Sequence, residues 1–165
     1  MDIIFSVIRV DTFWKILLFI HFALAVALLA AVTLQAVAVL MPARQVAGNF
    51  IDRSPVPAVS YTTLIIVLYV IQALMGAWIY VKYRIYVRIP MEQLRHWWTL
   101  GSFEEKEHVV AMGLFLLPAY WYFWRQPLAA DAGMRKGLTI FLALSVWYAF
   151  IVGHVANDFR GVGAL

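Results

Sequence analysis

Four long apolar runs separated by short polar stretches set the pattern of this chain. The first runs from Ile16 to Met41 and is broken only by His21, Thr33 and Gln35. About 20 apolar residues suffice to cross a bilayer as a helix, so this run is long enough to span. Arg9 and Lys15 precede it and small residues fill its end, as in a secretory leader, but its apolar part is too long for that reading. Pro42 stops it. The second run, Tyr61 to Val81, is followed by Lys82, Arg84 and Arg88, and its helix is expected to end near Pro90. The third follows Ser102 and reaches Trp124, and the fourth runs from Leu138 to Ala156.

The polar stretches carry their own signals. Residues 42–60 hold three prolines, Gly48 and Asn49, which read as a loop. Residues 90–101 predict a short interfacial helix. Pro90 suits its first position, Leu94, Trp97 and Trp98 form an apolar side, and Gly101 ends it. Ser102 and Glu105 then stand in capping-box spacing at the head of the third span. Pro118 should kink that span, and Tyr120 to Trp124 should form an aromatic belt at the opposite interface. The expected architecture is an all-α integral membrane protein, a four-span up-down-up-down bundle with an interfacial helix between spans two and three. The spans fall at about 14–41, 61–83, 103–124 and 138–157, within a single transmembrane domain covering 1–165.

Composition sharpens this picture. Hydrophobic residues make up 64% of the chain, against about 45–50% in soluble domains, so lipid is the expected main solvent. The absence of cysteine removes disulfides, thiolate metal sites, iron–sulfur ligation and thioether-linked haem. The net charge is +4, but only 13% of residues are charged, so the basic balance points to anionic lipid rather than nucleic acid. Arg9, Lys15, Lys82, Arg84, Arg88, Arg95, Lys106 and Arg160 fall on the side of the N-terminus; Arg44, Arg53, Arg125, Arg135 and Lys136 fall on the other. The positive-inside rule then places both termini in the cytoplasm, and the bacterial inner membrane is the expected location.

This threading puts His21, His96, His108 and His154 at or near one membrane face. Ionisable side chains at that depth are costly and mark a site or a polar partner. The first functional expectation is a b-type haem in an electron-transfer subunit, held by His21 and His154 with His108 as the substitute ligand. Arg84 and Arg88, four apart, would hold the propionates, and Ala23, Ala25, Gly76, Gly113 and Gly153 would leave room for the macrocycle. Gln35 and Gln72 are buried polar candidates for helix–helix hydrogen bonds or for a quinone headgroup. A single metal ion on His21, His108 and His154 is a third expectation. Glu105 and His108 have the spacing of di-iron bundles, but no carboxylates face them from the interiors of the other spans.

The alternative is a cofactor-free accessory or assembly subunit of a larger membrane complex. In it His21 glues helices, His96 anchors at the interface, and His154 caps carbonyls. Either reading makes the chain a non-catalytic component that meets lipid and other membrane subunits. Nucleotide-binding loops, serine hydrolase elbows and metalloprotease motifs are all absent from the sequence.

Overall fold

The computed structural model describes residues 10–40, 58–126 and 131–162. Almost all of them are helical. The elements are α1 (Val10–Leu40), α2 (Ala58–Tyr83), a π-helical turn (Arg84–Arg88), α3 (Ile89–Gln93), α4 (Trp97–Arg125) and α5 (Ala132–Val162). Neither glycine nor proline interrupts α1, and its predicted end at Met41 and Pro42 lies outside the described residues. Three stretches are long and apolar enough to cross a membrane: Thr12–Leu40, Ser60–Gln93 and Ala132–Asp158. In α4, Glu104, Glu105, Lys106 and Glu107 occupy the early turns, and the apolar stretch starts only at Val109.

The four long helices form a closed ring in which α1 packs on α2 and α5, and α4 packs on α2 and α5. Cross-helix contacts fix every neighbour as antiparallel. Gln35 meets Thr62 near one end of the α1–α2 pair, and His21 meets Gln72 near the other. Tyr83 stacks on Phe103, while Tyr69 lies against Val110, which sets α2 against α4. Trp124 meets Thr139, while Tyr148 reaches Ser102, which sets α4 against α5. Trp147 donates to Thr33 and Phe22 sits by Phe150, which closes α5 onto α1. The core is built from Leu28, Val32, Ile65, Leu117, Tyr120, Trp124, Leu142 and their neighbours.

The structure departs from the sequence expectation in three places. The interfacial helix over 90–101 does not form as one element. Residues 89–93 run on from α2 through the π turn, and Trp97 to Gly101 already belong to α4. Pro90 sits in the first turn of α3; its missing N–H and its ring disrupt α-helical bonding, and the π turn just upstream is where the helix changes register. The chain reverses at Leu94 to His96. His96 N–H donates to Met91 O and Arg95 N–H to Glu92 O, with Arg95 in the left-handed region at φ 58°. That is the hydrogen-bond pattern of a Schellman stop, made here without glycine. Consequently His96, not Ser102, stands at the N-cap of α4, and the predicted capping box lies inside the helix.

The aromatic belt is the third departure. Trp121 and Tyr122 are exposed as expected, but Tyr120 and Trp124 are fully buried. They share a helix face one turn apart and each finds a polar partner. The Tyr120 hydroxyl donates to Gln35 Oε1, and Trp124 Nε1 donates to Thr139 Oγ1 at 2.9 Å. A buried Tyr or Trp is stable where its polar tip is satisfied, and that condition is met here.

Candidate polar site at the histidine end

His21 is the histidine that turns into the helix bundle. It is half-buried on α1, and its Nε2 lies 3.2 Å from Gln72 Nε2 on α2. Gly76 follows one turn further along α2. A Cβ placed there would stand 3.5 Å from His21 Cε1 and meet no other heavy atom within 4 Å. His21 Nδ1 and Gln72 Oε1 are buried and have no hydrogen-bond partner. A fixed pair of helices therefore holds an imidazole and an amide side by side, and a methyl group at Gly76 would rest against the ring at ordinary contact distance.

The other histidines are placed differently. The His154 side chain is 60% exposed on α5, 4.0 Å from Asp158, and its ring stacks over Phe150 one turn earlier. Phe150 in turn sits 6.0 Å from Phe22, the residue after His21. His21 and His154 thus lie at neighbouring levels of the α1–α5 seam, yet one ring turns to α2 and the other to the outside. His108 is exposed on α4. Its Nδ1 stands 2.8 Å from Glu104 O; a carbonyl only accepts, so this nitrogen carries the proton. His96 is exposed at the chain reversal.

The two arginines expected to share a role also diverge. Arg88 pairs with Glu92 at 2.8 Å and with Glu104 at 3.3 Å, tying the end of the π turn to α4. Arg84 is exposed. Glu105 accepts from the Tyr148 hydroxyl at 3.1 Å, so this carboxylate is turned to α5, while His108 bonds within α4. Among the described residues no group of three His, Cys, Asp or Glu side chains is drawn together as a metal site would require.

A bis-histidine haem needs two imidazoles facing each other from opposite faces of the flat macrocycle, both reaching the iron. As placed, the residues do not fit that group. His154 and His108 turn outward while His21 is engaged by Gln72, and Arg88 is neutralised by two carboxylates.

Sequence reasoning anticipated Gln35 and Gln72 as interhelical polar residues, and both are. Gln35 is fully buried; it accepts from Tyr120 and its Nε2 donates to Thr62 Oγ1 at 3.4 Å, joining α1, α2 and α4. Two contributors, Arg135 and Lys82, were missed, and a third, Gly113, was assigned to cofactor space. Arg135, counted as a loop charge, is fully buried and donates to Phe123 O and Gln126 O, closing the C-terminal end of α4. Lys82 sits over the rings of Trp14 and Tyr86 at 5.3 and 5.2 Å, a cation–aromatic clasp between α1 and α2. Gly113 receives the Tyr69 hydroxyl. The only advance signal for these was a small or cationic residue amid aromatics, which is too common to single them out.

Comparison with protein-family models, curated proteins and solved structures returned no match.

Proposed function

We propose that this chain is a haem-free helical subunit embedded in a membrane, non-catalytic, which acts through contact with other membrane-protein subunits. In this reading α4 is a fourth crossing, both termini are cytoplasmic, and the membrane is a bacterial inner membrane. One observation carries the proposal. The four histidines are engaged separately: His21 reaches across to α2, His108 and His154 find partners on their own helices, and His96 is exposed, which favours separate roles over a shared ligand. The buried polar groups of the other end, from Gln35 to Arg135, are likewise spent between helices. What faces outward is apolar and bulky, including Phe19, Leu74, Phe115 and Leu144. Such a surface suits lipid and the flanks of neighbouring subunits.

The test is a dithionite-reduced minus oxidised spectrum of protein purified from haem-sufficient cells, paired with native electrophoresis of the source membrane. The expected result is a colourless protein that migrates in its native membrane as part of an assembly larger than 18.8 kDa. An α-band lost in both His21→Ala and His154→Ala would return the function to a b-type cytochrome. A colourless protein that is monomeric in its native membrane would remove the subunit reading.

A further inference from the structure

Charged residues bound the apolar runs at the histidine end. Lys15 precedes the run of α1, Lys82 and Arg84 follow that of α2, and Glu104 to Glu107 precede that of α4. Charges are costly in hydrocarbon, so with α4 as the proposed fourth crossing its edge falls at these levels. Both α2 and α4 run on past it. Lys82 to Gln93 on one strand of the hairpin, and Val109 back to Trp98 on the other, each cover about 16 Å at 1.5 Å per residue. The two stay paired over this distance. Tyr83 stacks on Phe103, Arg88 bonds Glu104, and Val87, Met91 and Leu100 form a second small core. Headgroups add only about 5–8 Å to each side of the hydrocarbon. The reversal at Leu94 to Trp98 then stands in water, beyond the reach of lipid.

What the reversal displays is unsuited to water. Leu94 and Trp97 are each 63% exposed and Trp98 is 86% exposed. Contiguous large apolar side chains outside lipid mark a contact surface. Between them stands Arg95, exposed and held in the left-handed region at φ 58°, where glycine would carry no penalty. Arg95 makes no ion pair among the described residues, whereas the nearest carboxylates of the hairpin, Glu92 and Glu104, are already bound by Arg88. The charge offered at the tip is therefore positive. From this we infer that the tip of the α2–α4 hairpin, Leu94 to Trp98, docks into an apolar recess with an acidic rim on an extramembrane, cytoplasmic part of another subunit. Tryptophan and arginine are the side chains that most often carry the binding energy of protein interfaces. The inference rests on the proposed subunit role and names the surface and partner chemistry through which it acts.

The test has two parts. In the first, Trp98→Cys in the full chain carries a bimane label in lipid nanodiscs. Iodide in the water should quench it, and a nitroxide on the lipid headgroup should not. Quenching by the headgroup nitroxide would overturn the inference and make the tip a membrane anchor. In the second, native electrophoresis of the source membrane follows the assembly in the parent, Trp98→Ala, Arg95→Glu and Phe115→Ala. Phe115 is the control, 86% exposed on the apolar part of α4. The share of chain found in the assembly should fall at least about tenfold in Trp98→Ala and in Arg95→Glu, and hold in Phe115→Ala. An assembly that persists in both tip variants would overturn the docking and leave the subunit role standing. Absence of any assembly in the parent would remove both. Should Trp98→Ala fail to fold, Arg95→Glu decides alone, since it keeps a side chain of similar reach and reverses only the charge.

Discussion

A single glycine sets the approach of α2 to α4 at Tyr69. Tyr69 on α2 is buried, and its hydroxyl donates to Val110 O on α4 at 3.2 Å. A Cβ on Gly113 would fall onto that hydroxyl and stand 2.7 Å from Cζ of the same ring. Gly113 is therefore required by the approach of α2 to α4, in contrast to Gly76, where a methyl would fit. Overpacking of this kind costs about 1–3 kcal/mol. Gly113→Ala should lower the unfolding midpoint in detergent, and Tyr69→Phe in the same chain should restore part of the loss by removing the clashing oxygen. Equal midpoints for Gly113→Ala and the parent would show that the helices separate at no cost, and the contact would not be a determinant. Sequence reasoning had assigned Gly113 to cofactor space. A glycine in an apolar run marks close approach of something, and only the partner's position tells a ring of the protein from a ring of a ligand.

At the scale of elements, the helices were legible and their junctions were not. The apolar runs were each longer than a membrane crossing requires, so four long helices followed from length and composition. Their ends depend on hydrogen bonds that composition does not record. Gly101 looked like a stop because glycine favours the left-handed backbone, yet the stop falls at Arg95. It is imposed by the Met91 and Glu92 carbonyls, which accept from His96 and Arg95. Arginine in that conformation carries a penalty on the order of 1–2 kcal/mol that glycine avoids. Arg95→Gly should therefore raise the unfolding midpoint, provided the exposed arginine side chain contributes less than this. Arg95→Val, β-branched and poorly suited to positive φ, should lower it. The ordering Gly above Arg above Val is the signature. If Gly and Val variants unfold together, the residue is not held in the left-handed region in the membrane-embedded protein. Arg135 makes the complementary point. A basic residue before an apolar run reads as a loop charge, but here it reaches back over the connection to close the preceding helix.

At the scale of the molecule, the question is how many times the chain crosses. Three stretches qualify by length and hydropathy, and α4 falls short because its charged early turns leave only the part from Val109 onward apolar. That part, to Trp124, spans about 24 Å at 1.5 Å per residue, somewhat less than a hydrocarbon core of about 30 Å. Its neighbours argue for a crossing all the same. Tyr83 stacks on Phe103 at one end of α4, and Trp124 bonds Thr139 at the other. A helix fastened at both ends to helices long enough to cross would lie at their depth, as the proposed fourth crossing requires. The proposed direction rests on charge. At the histidine end Lys15, Arg84 and Arg95 are exposed, whereas at the far end Arg135 is buried as a helix closure and only Arg125 and Lys136 remain exposed among the described residues. Because the chain has no cysteine, single cysteines report position without background. Gln93→Cys and Gly133→Cys, both at exposed positions flanking α4, should react with a membrane-impermeant maleimide from opposite sides. In intact cells Gly133→Cys should label at once, and Gln93→Cys only after the membrane is opened. The reverse order would invert the orientation while keeping the fourth crossing. Labelling of both from one side would place α4 back on the face it starts from, and the contacts that tie it to α2 and α5 would have to be rebuilt.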